Sequence, residues 1–415
     1  MSDPMSQARR APGRRASGWR RLFGYPGVTA VVLVGAVARL PTGMFGLAVV
    51  LGVAASHSYA NAGAVVAGYS VALAVAAPLR ARAVDRHGAR RAIALTSLVQ
   101  GACCAALAAC LSAHVAAMIV AVLAVGCGLS APPVTPALRA LWSALFDADP
   151  AARTAASSME SMVVDLSYIA GPGLVSVLIL LGSAPIALAG VAALRVGSGA
   201  GLASLTMLSP PRTPATASQA HRGSVLRNHA VLALIPVALL AFGSISAIEV
   251  AVSALAQRHG HPAAAGTLIA ALSVGGVAGG LLRGHLAHRA RGASTHQLLA
   301  ALAVLTIGWA TPAIVTSLPA LAAVLFAAGF AMNPMISLHY DLLADYVPSE
   351  HRTEAFGWLN AAGAAGAAVG SALAGALSTR SPAGGFATAT AMTAAAALIT
   401  LIATPWLTTQ RARNA

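Results

Sequence analysis

The sequence predicts an all-α integral membrane protein with about twelve transmembrane helices, arranged as two parallel six-helix bundles around a central cavity. Three observations carry this expectation: apolar runs of membrane-spanning length, arginines gathered in alternate loops, and an internal repeat. Hydrophobic residues fill 58% of the 415 positions and charged residues only 9%, whereas about a quarter of a soluble domain is charged. The mean hydropathy of +0.77 points the same way.

A membrane-spanning helix needs about 20 mostly apolar residues. Runs of that kind occupy 28–54, 61–80, 92–112, 114–140, 154–181, 184–207, 230–256, 263–284, 296–315, 318–345, 353–377 and 385–408. Residues 1–25 hold six arginines, and WRRLFG around Arg20 and Arg21 faintly resembles a twin-arginine signal. The run that follows is long, lacks a cleavage site and is succeeded by many others. It therefore reads as a first span on a cytoplasmic tail.

Cytoplasmic loops of membrane proteins are enriched in basic residues. The tail, the loop at 80–91, the loop with Arg212, Arg222 and Arg227, the loop with Arg283, Arg289 and Arg291, and the terminal Arg411 and Arg413 all fall on one side. Only Arg258 and Arg380 fall in loops on the other. Both termini are thus expected in the cytoplasm. Every basic residue is arginine and alanine dominates, a bias expected of GC-rich bacterial coding, so the expected location is the bacterial cytoplasmic membrane.

Residues 62–86 lie over residues 265–289 at a constant offset of 203, with Gly63 on Gly266, Ser70 on Ser273 and Arg86 on Arg289. Pro150 and Arg153-Thr154 likewise correspond to Pro348 and Arg352-Thr353. The expected organisation is a cytoplasmic tail (1–25), a six-helix bundle (26–208), a polar central loop (209–228), a second bundle (229–408) and a short tail (409–415). Halves with an even number of spans are parallel repeats, an arrangement found in secondary transporters.

The loop between the second and third runs reads RARAVDRHGARR. It resembles the G-x-x-x-D-R-x-G-R-R signature of the major facilitator superfamily, with Asp85, Arg86, Gly88, Arg90 and Arg91 matching, one extra residue at Ala89 and Ala81 in the place of the leading glycine. In the second half Gly284 is kept, His288 replaces the aspartate and Arg289 follows. Gly171-Pro172-Gly173 in the fifth span resembles the Gly-Pro centre of the motif associated with drug/proton antiporters and marks an expected hinge. The fourth-span arginine usual in exporters is absent from AVLAVGCG, and Arg139 lies nearer the cytoplasmic end. The resemblance implies a cytoplasmic gate in which Asp85 accepts hydrogen bonds at the start of the eleventh helix, near Thr353 and Glu354, where the helix dipole favours an anion. Arg86, Arg90 and Arg91 would hold carboxylates or lipid phosphates.

An ionisable side chain within a span costs at least ~2.5–3.5 kcal/mol, so each is a site candidate with a partner. Arg39 lies roughly 15 Å into the first span at 1.5 Å per residue, beside a kink expected at Pro41; it suits a cavity wall or a structural pair. Glu160 and Asp165 are five apart in the fifth span, about 140° around the helix, so they do not share one face. Asp165, with Tyr168 at i+3 able to donate to it, could take and release a proton or pair with Arg39 or Arg139; Glu160 suits a structural pair. Glu249 sits in the outer half of the seventh span and suits a proton, a cationic substrate or a structural role. Arg195 in the sixth reads as a packing residue. Asn333 beside Pro334, His339, Trp358 and Asn360 add polar groups to the cavity or to helix packing. The glycine and alanine runs at 275–280 and 361–376 let helices approach closely.

Cys103, Cys104, Cys110 and Cys127 have no zinc spacing and read as reduced packing residues. No metal, cofactor or nucleic-acid partner is expected. Without lysine there is no Walker motif, and no catalytic dyad lies at membrane depth, so a pump driven by ATP and an enzyme are disfavoured. The expected function is proton-coupled efflux of a small organic molecule by a monomer in contact with lipids, working by alternating access. An importer or sugar exporter of this fold, or a non-transporting receptor or scaffold, is the alternative.

Overall fold

The computed structural model describes residues 22–146, 149–205, 229–287, 295–313, 317–347 and 352–414. Their long elements are all helical: α1 (Val28–Ser56), α2 (Tyr59–His87), α3 (Ala89–Ser112), α4 (Ala117–Leu129), α5 (Val134–Leu145), α6 (Pro150–Leu181), α7 (Ala184–Ser204), α8 (His229–Arg258), α9 (Ala264–Ala287), α10 (Thr295–Ala310), α11 (Leu318–Tyr346), α12 (Arg352–Ser378) and α13 (Pro382–Asn414). Ten are long and apolar enough to cross a membrane, and α4 and α10 are shorter apolar helices. With α4 and α5 counted as one interrupted span, the helices make twelve spans. The expected central loop at 209–228 lies outside the described residues.

Two expectations about local structure need correction. The fourth span, expected as one run over 114–140, is broken between Leu129 and Val134. Pro132 and Pro133 lack an N–H and exclude helical geometry from the residue before each. The carbonyl of Gly128, left at the end of α4, accepts from Arg80 Nη1 at 2.9 Å, while Arg80 Nη2 reaches Leu73 O at 2.8 Å. The stretch 80–91, expected as a loop, is helical apart from Gly88: α2 continues to His87 and α3 starts at Ala89. Hydropathy marks where the membrane ends, but alanine and arginine are strong helix formers and carry the helix onward. Gly88 makes the turn with φ 83° and ψ 151°, a conformation open almost only to glycine, and its N–H bonds Val84 O at 2.8 Å.

Large apolar side chains point outward, as a bilayer requires: Met118 is 75% exposed, Leu180 76% and Ile402 70%. Many hydroxyls within the spans bond back to the carbonyl four residues earlier, as Ser70 does to Val66, Thr393 to Ala389 and Thr400 to Ala396. They can thereby sit in hydrocarbon without an unmet polar atom.

Within the first bundle α1 packs on α6 and α7, α3 on α7, and α2 on α4; within the second, α8 packs on α12 and α13, α9 on α11, and α10 on α13. The bundles meet through α2 with α12, α6 with α9, and α8 with α1 and α2. At these seams the backbones nearly touch. A methyl group on Gly63 of α2 would overlap the carbonyl oxygen of Ser371 on α12, and one on Gly266 of α9 would overlap that of Pro172 on α6. These are the two glycines that the internal repeat superimposes.

Among the described residues, the hydrogen bonds across the seams all lie in the half remote from the arginine-rich loops. Ser176 Oγ donates to Ala263 O at 2.6 Å, Ser273 Oγ to Tyr168 O at 3.0 Å, and Tyr59 Oη to Ser253 O at 3.0 Å and to Gln257 Oε1 at 2.5 Å. The buried apolar residues divide in the same way. One cluster joins the arginine-poor half of the first bundle (Met44, Val65, Leu107, Val175) to the second bundle. A separate cluster (Val31, Ile93, Leu138, Trp142, Ala156) fills the arginine-rich half of the first bundle alone. The protein is therefore zipped shut at its arginine-poor end.

Enlarging a close-packed contact costs about 1–3 kcal/mol, so Gly63→Leu should lower thermal stability and part the seam. In a background free of the native cysteines, spin labels at His57→Cys and Ser381→Cys should move several ångströms apart when Gly63→Leu is added. An unchanged distance distribution would mean that the contact does not hold this end closed.

Candidate functional site

The ionisable groups within the spans fall into two settings. Inside the first bundle, α1 carries Arg39 and α6 carries Glu160 to a common level, where Arg39 Nη2 donates to Glu160 Oε1 at 2.8 Å. Arg39 Nη1 also reaches Gly35 O at 3.1 Å. Both residues are buried, at 6% and 5% exposure, among Val31, Leu138, Trp142, Met159 and Val163. The void beside them is about 10 Å³, room for one water at most. Geometry of this kind suits a neutralised structural pair that ties α1 to α6, not a pocket for an organic molecule.

Arg195 forms a second buried contact on α1. Its Nη1 donates to Ala38 O at 3.1 Å and its Nη2 to Thr42 Oγ1 at 3.3 Å, on either side of Pro41 in a helix that runs on without a break. Gln100, not singled out from the sequence, is buried on α3 and bonds Cys127 O at 2.9 Å. The thiols of Cys104 and Cys127 lie 3.6 Å apart there, and all four cysteines are free.

Glu249 is set differently. It projects from α8 at the junction with α1, where a methyl group on Gly46 would stand 3.6 Å from its Oε2. A methyl group would fit there in ordinary contact, so the carboxylate lies against α1 without crowding it. No ion pair to Glu249 and no hydrogen bond to its carboxylate is found among the described residues; its backbone carbonyl accepts from Ser253 Oγ at 2.7 Å. Glu249 lies nine residues before the end of α8, roughly 14 Å along the helix. A half-buried acid between the bundles would change its surroundings whenever the seam opened.

The remaining candidates divide between seams and packing. Tyr168 is 48% exposed, and its carbonyl receives the cross-bundle bond from Ser273. The side chain of Asp165, one turn earlier on α6, lies outside the described residues, as do those of Asp85, Arg86, Arg139, Thr353 and Glu354. Arg90 and Arg91 are exposed at the start of α3. In the fifth span, a methyl group on Gly171 would come within 2.6 Å of Gly43 on α1, Pro172 abuts Gly266 on α9, and Gly173 has open space around it. That motif thus marks the place where three helices from both bundles converge. Asn333 packs against Gly276 and Gly280 of α9. His339 is fully buried with Nδ1 2.9 Å from Met335 O. Trp358 is 42% exposed, and Asn360 Oδ1 accepts from Tyr340 Oη at 2.9 Å.

No sequence pattern marks Tyr59. It bridges the bundles at the arginine-poor end, and its position just after the Ser58 helix cap gives no cue to that role. No group of three or more His, Cys, Asp or Glu side chains among the described residues could hold a metal ion.

The family model described as Major Facilitator Superfamily matches residues 31–295 and 291–415. No curated protein sequence matches. Among solved structures, the nucleoside transporter NupG aligns with a TM-score of 0.70 at 11% identity, covering 90% of this chain and 97% of its own. A bacterial homologue of the human lysosomal transporter Spinster aligns at 0.68 and 14% identity, covering 92% and 95%. A D-xylose–proton symporter aligns at 0.62 and 15% identity, covering 90% and 97%.

Removing one partner of a buried ion pair strands the other and costs about 3–5 kcal/mol, whereas an apolar pair of similar volume is often tolerated. Arg39→Met and Glu160→Met should each lower the stability of the purified protein by that amount, and the double variant should recover most of it. Additive losses in the double variant would show that the two groups act separately.

Proposed function

Because the chain belongs to the major facilitator superfamily, a family of non-enzymatic membrane transporters, we propose that it exports a small organic molecule across the bacterial cytoplasmic membrane in exchange for protons. The observation that carries this reading is the asymmetric seam: the bundles are locked together at the arginine-poor end, and one acid, Glu249, lies in that seam without an ion-pair partner among the described residues. With the arginine-rich loops turned to the cytoplasm, this is the inward-facing state of an alternating-access cycle. Binding from the cytoplasm and release outside would follow as the outer seam parts and the opposite side closes.

In this cycle Glu249 is the proton carrier. Closed against α1 it is sheltered, and with the seam parted it meets water, so its affinity for a proton alternates with the conformation. Arg39 and Glu160 stay paired throughout and keep α1 and α6 moving as one body. Asp165 is the second carboxylate that the sequence offers on α6. Gly171-Pro172-Gly173 would let α6 flex where it meets α1 and α9, which supports export through its likeness to the antiporter motif. Gly88 keeps the Asp85 turn tight, so that Asp85 and Arg86 can close on the start of α12 when the cytoplasmic side shuts.

Purified protein in vesicles with an internal pH dye, screened against cationic, neutral and anionic compounds, tests the reading. Compound-dependent proton flux should vanish in Glu249→Gln while compound-for-compound exchange persists. Loss of flux in Asp165→Asn alone would move the carrier to α6; flux in the reverse direction would make the protein an importer. No flux with any compound would favour a scaffold. Asp85→Asn should slow transport about tenfold or more, as expected if it removes about 1.4 kcal/mol or more from the closed state, with membrane insertion unchanged; unaltered transport would reduce the segment to a topology signal.

A further inference from the structure

The two arginines that depart from the positive-inside pattern, Arg258 and Arg380, are 122 positions apart in the chain yet line one cavity of about 220 Å³ at the arginine-poor end. Gln257, Ser378, Thr379 and Tyr59 line it with them. Arg258 ends α8, Arg380 sits in the tight turn between α12 and α13, and Tyr59 belongs to the other bundle. The Ser378 side chain is 5% exposed, and its Oγ has no hydrogen-bond partner. A buried hydroxyl left unmet is costly unless something else occupies the site.

The charge balance is also one-sided. None of the eleven acidic residues falls in the connections 57–58, 113–116, 182–183, 259–263, 314–317 or 379–381 at this end. Two arginines thus line the same small space without a carboxylate from any of these connections. The other groups are mainly donors. Gln257 gives its carbonyl to Tyr59 Oη and keeps its amide N–H groups, and the Ser378 hydroxyl can donate. Thr379 Oγ1 is engaged with Gly375 O at 3.0 Å. Arginine guanidinium forks together with neighbouring donors match the tetrahedral oxygens of a phosphate group.

We propose that this cavity is a binding site for a phosphate group, supplied either by inorganic phosphate or by the headgroup of an anionic phospholipid. The bound anion would draw Arg258 and Arg380 together, satisfy Ser378 and lie against Tyr59, so it would fasten α2 to the ends of α8 and α12. Its occupancy would favour the state in which the arginine-poor end is shut. Binding can be read without flux, so this proposal stands or falls apart from the transport reading.

The full-length protein in neutral detergent should show a saturable rise in unfolding temperature with inorganic phosphate, or in nanodiscs when phosphatidylglycerol is added to phosphatidylcholine. Sodium chloride at equal ionic strength should not reproduce it. Arg258→Gln and Arg380→Gln should each weaken the apparent affinity about tenfold, a typical loss for one charge-assisted contact. A response to inorganic phosphate identifies the free anion as a ligand, and a response to phosphatidylglycerol alone identifies the lipid headgroup. A rise that chloride matches, a rise that both arginine variants keep at full affinity, or the absence of any rise with either probe would overturn the proposal.

Discussion

The closeness of the backbones at the inter-bundle seams is the constraint on which the other features depend. Helices in a bilayer gain little from burying apolar surface against one another, because lipid tails are equally apolar; they associate through packing and hydrogen bonds. Gly63 against Ser371 and Gly266 against Pro172 let two pairs of helices meet backbone to backbone. That proximity brings Ser176, Ser273 and Tyr59 within reach of carbonyls on the opposite bundle. It also places Glu249 beside Gly46. The same repeat position supplies the critical glycine in each half, so one packing solution serves both seams.

Buried charge is handled in two ways, and the difference separates structure from chemistry. Arg39 and Glu160 neutralise each other within one bundle, and Arg195 is spent on the backbone and hydroxyl of α1. Both sets of contacts lie inside the first bundle. Glu249 lies between the two bundles, beside Gly46 of α1. The arginines at the two mouths divide likewise: Arg80 caps the broken fourth span by direct hydrogen bonds, whereas Arg258 and Arg380 share a cavity with no acidic residue in the connections at that end.

Much of this was legible in the sequence because the bilayer simplifies the code. Twelve apolar runs and the offset of 203 survive as twelve spans with corresponding seams. The motif residue Gly88 proves to be required by its backbone conformation. Span ends were less legible, since hydropathy does not report helix termination: the arginine-rich stretch after Leu79 stays helical, and the double proline at 132–133 breaks a run that hydropathy alone reads as continuous. Residues such as Tyr59 and Gln100 gave no signal, because a lone polar side chain near a helix end, or within an apolar run, looks the same whether it bridges two bodies or bonds its own neighbour.

The sequence by itself determined the membrane class, the number of spans and the two-fold repeat, because each follows from local composition and periodicity under the demand that every backbone polar group be satisfied within its own helix. Only the tertiary structure decided which charges meet. Whether Arg39 finds Glu160, whether Glu249 is left in the seam, and whether Arg258 and Arg380 share a cavity depend on helix rotation and on which end of the bundles is closed. Those are set by packing between segments more than a hundred residues apart, for which no local pattern encodes the partner.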